Sequence, residues 1–594
     1  MKRDDTRGVT RRSVIKAAVA TLSASLAAAC SVSTTPAPSP TVTPPTPTLP
    51  PPRVTTAPSP SLAPATPTPS PVPPTPSPTP VTPPVLYVDN GNPRAADTNA
   101  GTEALPLRTI AKAVALAAER NARNMDVRVV VSPGTYRESV RFVATSAATD
   151  ATIVFEAREG GTAIISGSDI WGDWHKESAA NTYSHPWPYK WGLAPYPPGW
   201  QGNVVLKPIV RRREMIFLNG TPLTQVLSRP ELKGGTFYVA EESGTVFLSP
   251  PMGVMIEGAI VEVATRAGIF SVKGARNLSV RGLTFTHDGS ALDGTAAAFS
   301  DCTNLLVEDC QFPTNNWTGF GVHTSRGVVA RNNTANGNGA IGMEAYQSKD
   351  LRYEANETSY NNWRGALGGF FSWATGGLKH LLVHGGVYRQ HRSVGNHACG
   401  CWFDTDCMNI EVDDLFSSRN YGEGLFIEAL QGPVTVTNST ICHNQQGPGV
   451  YTEGATNVTL QGNIIYDNGD AQIKALKGAR AITDWETHKA QNSPAAHWTL
   501  QNNVIVGTNT KQNLIDVANS AAFLGTLDSD ENLWFSPKKD YSFIIEQKGV
   551  RFDKWQSVSK QDGKSLLADP RFVAPEKDDF TPRDDSPLKN GKMP

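Results

Sequence analysis

Between residues 321 and 453 a three-residue pattern recurs, in which an apolar residue separates two others. Aligning Gly321-Val322-His323, Gly342-Met343-Glu344, Phe370-Phe371-Ser372, Trp402-Phe403-Asp404, Phe426-Ile427-Glu428 and Tyr451-Thr452-Glu453 gives a mostly apolar middle column. Side chains alternate faces along a strand, so an interior middle column sends both flanks outward. One flank then holds His323, Glu344, Ser372, Asp404, Glu428 and Glu453, and the other Gly321, Gly342, Phe370, Trp402, Phe426 and Tyr451. Strands stacked at about 4.7–4.9 Å would put the Asp404 and Glu428 carboxyls about 5 Å apart. That separation suits glycosidic cleavage with retention, one carboxyl as nucleophile and the other as acid/base, whereas inversion needs about 6.5–9.5 Å to admit a water. Two like charges so close favour a division into one acid, which keeps its proton, and one nucleophile. The neighbouring rings would offer sugars a flat apolar surface. A row of merely solvated charges, or binding of Ca²⁺ or sugar without chemistry, competes with this reading.

Further candidates surround the pair. Asp406, two residues beyond Asp404, is expected on the same face, tuning the pair or entering an oxygen-ligand cation site such as Ca²⁺. His391 and His397 lie in the long stretch before the Trp402 strand and are expected to contact substrate, as are Trp402, Phe426, Phe370, Tyr451, Glu453 and Glu344. Cys399-x-Cys401 with scattered histidines lacks structural zinc spacing, so no metal and no cofactor is assigned. A Ca²⁺-dependent polysaccharide lyase would need a Lys or Arg to abstract the C5 proton. The aligned carboxylate column holds neither, leaving Arg364, Arg389 and Arg392 to come from loops.

Positioning such columns requires a repeating scaffold. The segments NLSV, NLLV, GVVA, DLRY, HLLV, NIEV, PVTV, NVTL and HWTL end at Val280, Val307, Ala330, Tyr353, Val383, Val412, Val436, Leu460 and Leu500. Most steps are 23–30 residues; the last, 40, contains an insertion. Short alternating apolar runs separated by Asn, Gly and Asp indicate strands joined by tight turns. Units of this length without helical periodicity predict an all-β fold, a right-handed parallel β-helix. Residues about 166–262 interrupt the pattern with Trp171, Trp174, Trp187, Trp191 and Trp200, then hairpin-like runs, predicting a small inserted β-domain. Ile110 to Ala118 reads as an amphipathic helix suited to covering the solenoid's open end.

Several motifs resemble known families. Tyr87 to Tyr136 resembles the N-terminal cap and first coil of right-handed parallel β-helix proteins. Gly400-Cys401-Trp402-Phe403-Asp404 with Phe426-Ile427-Glu428 and Gly432-Pro433 is similar to the active-site coils of bacterial β-helix glycosidases, especially β-xylosidases. The blocks Phe217-Leu218-Asn219-Gly220, Phe247-Leu248-Ser249-Pro250-Pro251 and Ala568-Asp569-Pro570-Arg571-Phe572 resemble other parts of that group. The resemblance implies Asp404 as nucleophile and Glu428 as acid/base. It departs at Ala429-Leu430-Gln431, where a polar pair is expected, and this bears on which sugar is bound.

The N-terminus reads as an address. Thr10-Arg11-Arg12-Ser13-Val14-Ile15-Lys16 resembles a twin-arginine export signal, and Ala17–Ala29 is too short to remain as a membrane span. Leu26-Ala27-Ala28-Ala29-Cys30 resembles a lipoprotein box, implying lipid attachment at Cys30. Residues 31–84 follow as a disordered spacer, with 22 of the chain's 45 prolines between Pro36 and Pro84. Residues 85–594 form the working domain, expected outside the cytoplasmic membrane as a monomer meeting a polysaccharide or oligosaccharide. With 54 Lys+Arg against 55 Asp+Glu, the chain lacks the basic excess that nucleic-acid binding requires.

Overall fold

Alternation of apolar and polar residues buries one face of each short strand, and the strands bury those faces by stacking coil on coil. The computed structural model describes residues 84–589 except 145–149, 179–180, 477, 519 and 539. The expected signal and Cys30, and the spacer before Pro84, lie outside the described residues.

Three parallel sheets form the wall. The site sheet stacks Thr318–His323, Ile341–Tyr346, Gly376–Leu381, Cys401–Asp404, Leu425–Leu430 and the start of Val450–Gln461. In the second sheet Val280, Val307, Ala330, Tyr353, Tyr388, Val412, Val436, Leu460 and Leu500 align in one buried column. A third sheet consists of short strands such as Arg392–Val394, Phe416–Ser418 and Thr440–Cys442. The second-sheet column is the expected one except that Tyr388 takes the place of Val383. The helix Trp363–Gly368 lengthens that coil to an offset of 35 residues, followed by one of 24. Val383 lies near the midpoint of the combined span, so even spacing selected it although it follows the preceding strand.

Asparagines brace the turn before the site sheet. Each side-chain amide donates to the next asparagine's oxygen, from Asn315 through Asn338, Asn361, Asn396, Asn420 and Asn444 to Asn468, at 2.7–3.1 Å. These bonds satisfy wholly buried polar groups that would otherwise be costly.

The ends are closed. The helix Ile110–Ala122 begins at Thr109, whose hydroxyl accepts the Lys112 N–H, and turns Ile110, Ala113, Val114 and Ala117 inward. At the other end the helix Phe552–Ser559 buries Trp555 against Phe543. Between Ala163–Ser166 and Phe270–Lys273 the chain leaves the wall to form a four-stranded and a five-stranded sheet around their own core. Buried Arg364 fastens this insertion, donating to Asn316 Oδ1 in the coil and to Gln225 Oε1 and the Glu214 carbonyl in the insertion. Arg364 is thus a structural tie. The six cysteines from Cys302 to Cys442 are buried free thiols.

Candidate active site

The site sheet presents two outward rows. In one, Gly321, Glu344, Lys379, Trp402, Phe426 and Tyr451 are in register from coil to coil. In the other, Asp404 opposes Leu381 and Glu428 opposes Glu453. The ladder between their strands runs through Phe403 and Ile427, so Asp404 and Glu428 occupy the next position on adjacent coils.

Asp404 is 2% exposed. Its Oδ2 pairs with Lys379 Nζ at 2.8 Å, and its Oδ1 accepts from the Thr405 amide and hydroxyl at 2.7 and 2.9 Å. Lys379 is equally enclosed. It donates to the Trp373 carbonyl at 2.6 Å and sits 3.0 Å from the centre of the Trp402 ring. Ring and carboxylate together compensate an ammonium removed from water.

Glu428 is wholly buried and pairs with Arg480 Nη2 at 2.6 Å, while the same nitrogen lies 3.1 Å from Glu453 Oε2. Arg480 belongs to a hairpin of Ala479–Thr483 and Ala490–Pro494 that packs on the strands of Glu428 and Glu453. Gln431 Nε2 donates to the Asn492 carbonyl at 2.9 Å and Thr456 Oγ1 to the Pro494 carbonyl at 2.7 Å, fixing the hairpin there. Beside these groups Trp402 and Phe426 stack at 4.7 Å, and Phe426 and Tyr451 follow at 4.6 Å. The Tyr451 hydroxyl donates to Glu453 at 2.7 Å. Two carboxylates, each matched with a cation, therefore lie along a three-ring ladder, with the hairpin over Glu428.

Other expected members lie elsewhere. Phe370 follows the helix Trp363–Gly368 and packs against Trp200, Trp317 and Trp373, because residues 370–372 precede the wall strand Gly376–Leu381. Phe371 stacks on Tyr421 and Ser372 is exposed, so neither belongs to the columns. Glu344 faces outward, but in the Lys379 row. It accepts from Thr295 Oγ1 at 2.7 Å and lies 3.1 Å from His323 Nε2. Nearby Asp293 is pushed up to about 7 by burial and by the Glu344 charge. His391 is 2% exposed and bonded to Thr358 Oγ1 at 3.0 Å; burial pushes it down to about 3, and it contributes to the wall's interior. His397 is half-buried in the turn before the Trp402 strand, and burial lowers it. Asp406 lies in a turn with φ of 57° and bonds to His384 and the Trp485 amide, away from the Asp404 pairing.

Lys379 and Arg480 were absent from the sequence-derived columns. Glycine would have located Lys379. Gly342, Gly377, Gly400 and Gly424 each lie so near the following coil's carbonyl that an added Cβ would approach it to 2.6–2.9 Å. The outward residue stands two positions after each of these glycines, which yields Glu344, Lys379, Trp402 and Phe426 directly. Arg480 comes from a hairpin outside the repeat and carries no such signal. Two open cavities lie apart from the pair. One of about 460 Å³ is lined by Arg212, Gln225, Tyr238 and Glu241 of the insertion. The other, of about 230 Å³, lies against Arg389, Glu411 and Asp413 of the second sheet.

Comparison with known proteins bears on this architecture. Residues 244–413 match the family model described as "Right handed beta helix region". No curated protein matches the sequence. Among solved structures, the complex of XylC with xylose aligns at a TM-score of 0.62 and 14% identity, over 82% of this chain and 87% of that one. A protein described as a glycoside hydrolase aligns at 0.46 and 10% identity, over 81% and 96%. The Azotobacter vinelandii mannuronan C-5 epimerase AlgE6 A-module aligns at 0.45 and 14%, over 77% and 95%. With its stacked parallel sheets, few helices and this likeness, the chain has the fold of a right-handed parallel β-helix.

Proposed function

We propose that this chain is an extracytoplasmic carbohydrate-active enzyme, a glycoside hydrolase acting with retention. The observation that carries the reading is a pair of carboxylates on adjacent coils, enclosed beside the Trp402–Phe426–Tyr451 ladder. Strand stacking leaves about 5 Å between neighbouring coils, too little for a water between carboxyl and sugar and suited to double displacement. Asp404 attacks the anomeric carbon and forms a glycosyl ester as Glu428 protonates the leaving oxygen. Water then attacks the same carbon, Glu428 takes its proton, and Asp404 departs. Lys379 holds Asp404 for in-line attack. Arg480 rides on the hairpin, so a substrate that lifts the hairpin draws the cation from Glu428, which takes up a proton from solvent and then carries it to the leaving oxygen. The enclosure suits a short substrate end, and the resemblance to β-xylosidases makes xylosides the first compounds to try. The twin-arginine-like start and Cys30 support action outside the membrane, with Cys30 as the lipid anchor.

The test is a panel of aryl glycosides and uronate polymers with product stereochemistry followed by NMR. Retention is expected, with Asp404→Asn and Glu428→Gln each lowering turnover by at least about 10³-fold while the fold persists by circular dichroism. An inverted product, or unchanged turnover in either variant, refutes the assignment. A second reading, a lyase acting on uronate polymers, is favoured by one observation: Lys379 lies beside Asp404, supplying the base that the sequence columns lacked. It requires an unsaturated product absorbing in the ultraviolet.

A further inference from the structure

A second cluster of ligating side chains lies where the Asp404 strand turns into the next sheet. Asp406 is wholly buried there. Its Oδ2 accepts the Trp485 N–H at 2.8 Å and lies 3.2 Å from His384 Nε2. Its Oδ1 is buried with no hydrogen-bond partner among the described residues. A carboxylate oxygen kept from water without a donor carries a desolvation cost that a cation would remove.

The neighbours cluster about Asp406. His384 Nδ1 lies 2.8 Å from Glu486 Oε2, and Glu486 in turn pairs with Lys349. Asp484, 7% exposed, accepts the Thr487 and Glu486 N–H groups on Oδ1 at 2.8 and 2.9 Å. The Thr487 N–H bond first, then the Thr487 side chain and the nearby His384, hold Asp484 below the usual carboxylate range. One donor atom from each of His384, Asp406 and Asp484 lies within 4.8 Å of the others.

We propose that His384, Asp406 and Asp484 bind a divalent first-row transition-metal ion. One imidazole with two carboxylates suits Zn²⁺ or Mn²⁺ better than Ca²⁺, which takes an all-oxygen shell. Metal–ligand bonds of about 2.0–2.2 Å hold donor atoms no more than about 4.4 Å apart, so the 3.2 Å between His384 Nε2 and Asp406 Oδ2 fits as it stands and Asp484 closes onto the ion. The orienting partners of such sites are in place: Glu486 on the far nitrogen of His384, the Trp485 amide on Asp406, and two amides on Asp484. The metal replaces the proton that the contact between His384 Nε2 and Asp406 Oδ2 otherwise demands. Among the described residues the other such cluster, Cys442, His443 and Asp578, differs in that both His443 nitrogens are taken by groups outside it, Nδ1 by Asp467 and Nε2 by the Pro575 carbonyl. Because Asp484 lies between the hairpin strands, the ion would tie the Arg480 hairpin to the wall. It would thus bridge segments about eighty residues apart, a cross-link that restrains the hairpin.

The test uses the whole processed chain, stripped with chelator, dialysed and titrated with Zn²⁺ by calorimetry, with bound metal counted by elemental analysis. One ion per chain is expected, with protease cleavage within 484–489 slowed by metal. Asp406→Asn and Asp484→Asn should each weaken binding by more than 100-fold, and Glu486→Gln by about 10–100-fold. If the ligand variants do not fold, Glu486→Gln decides, because it removes only an orienting bond. Wild-type chain that retains no more Zn²⁺ than Glu486→Gln, or binding lost in Cys442→Ser and retained in Asp406→Asn, overturns the site. Because binding is read directly, the result stands apart from whether the enzyme cleaves glycosides.

Discussion

Two faces of one solenoid carry outward charges and treat them differently. On the second sheet Arg281, Glu308 and Arg331 form a ladder across coils, and Arg326 pairs with Asp350. The side chains of Arg326 and Asp350 remain 67% and 56% exposed. On the site sheet those of Lys379 and Asp404 are 2% and 3% exposed, and that of Glu428 is 1%. Stacking geometry is common to both faces, so the repeat does not explain the difference. What differs is the covering: a hairpin over Glu428 and the Trp402 ring on Lys379 close one face, whereas Arg326 and Asp350 stand in water. Charges that only solubilise a wall resemble the second sheet. Charges held dry at a desolvation cost of several kcal/mol per ion need another reason, and substrate chemistry is such a reason.

The largest stability effect expected is therefore on the covered face. Lys379→Ala leaves Asp404 enclosed without its ammonium partner and should cost about 3–5 kcal/mol, read from the denaturant midpoint. A loss under about 1 kcal/mol, as for an exposed pair, would show that water reaches Asp404 and would remove the contrast between the faces.

The same contrast explains what was legible in the sequence. The second sheet's column was readable from Val280 to Leu500 because most of its steps are 23–27 residues, and Val383 failed only where the helix Trp363–Gly368 enlarges a coil. That single slip displaced Phe370 into the aromatic row and hid Lys379, which stands in the row that holds Trp402. The face assigned to Glu344 was right and its register wrong, since a shift of two residues preserves the alternation of sides. Asp404, Glu428, Trp402, Phe426 and Tyr451 were readable because their coils are regular. Arg480 was not, because a hairpin that folds back over the wall is specified by tertiary packing and not by the period. His391 was misread for a related reason: a polar residue between strands looks like a loop contact until Thr358 is seen to satisfy it inside.

The difference between faces extends through the wall. Behind the Lys379 coil the interior position is His380, its Nδ1 2.6 Å from the Tyr388 hydroxyl, whereas the second sheet's interior column is mostly aliphatic. Burial pushes both His380 and His391 down to about 3. Above pH 6.5 each is neutral folded or unfolded. As pH falls below 6.5 the unfolded chain takes up protons that the folded chain refuses, so stability drops through the window from 6.5 to about 3. By pH 5 the loss should be about 2 kcal/mol for each histidine, and His391→Gln should flatten the thermal-midpoint profile over that window. A wild-type profile already flat from pH 7 to 5 would mean that these histidines reach solvent.

The smallest effect belongs to the exposed face and sets the scale for the rest. Arg326 and Asp350 are 2.9 Å apart, almost the separation of Lys379 and Asp404, so distance alone would rank the two pairs together. In water the attraction is screened, and holding two long side chains in one geometry opposes it. A double-mutant cycle on Arg326→Ala and Asp350→Ala should return a coupling of about 0.2–1 kcal/mol that fades with added salt. The parallel cycle on Lys379→Met and Asp404→Asn should return more, and salt should leave it largely unchanged because ions do not enter the covered site. Equal couplings with equal salt dependence would mean that the enclosure around Lys379 does not keep water out, and Asp404 would then be one more solvated charge on a solenoid wall.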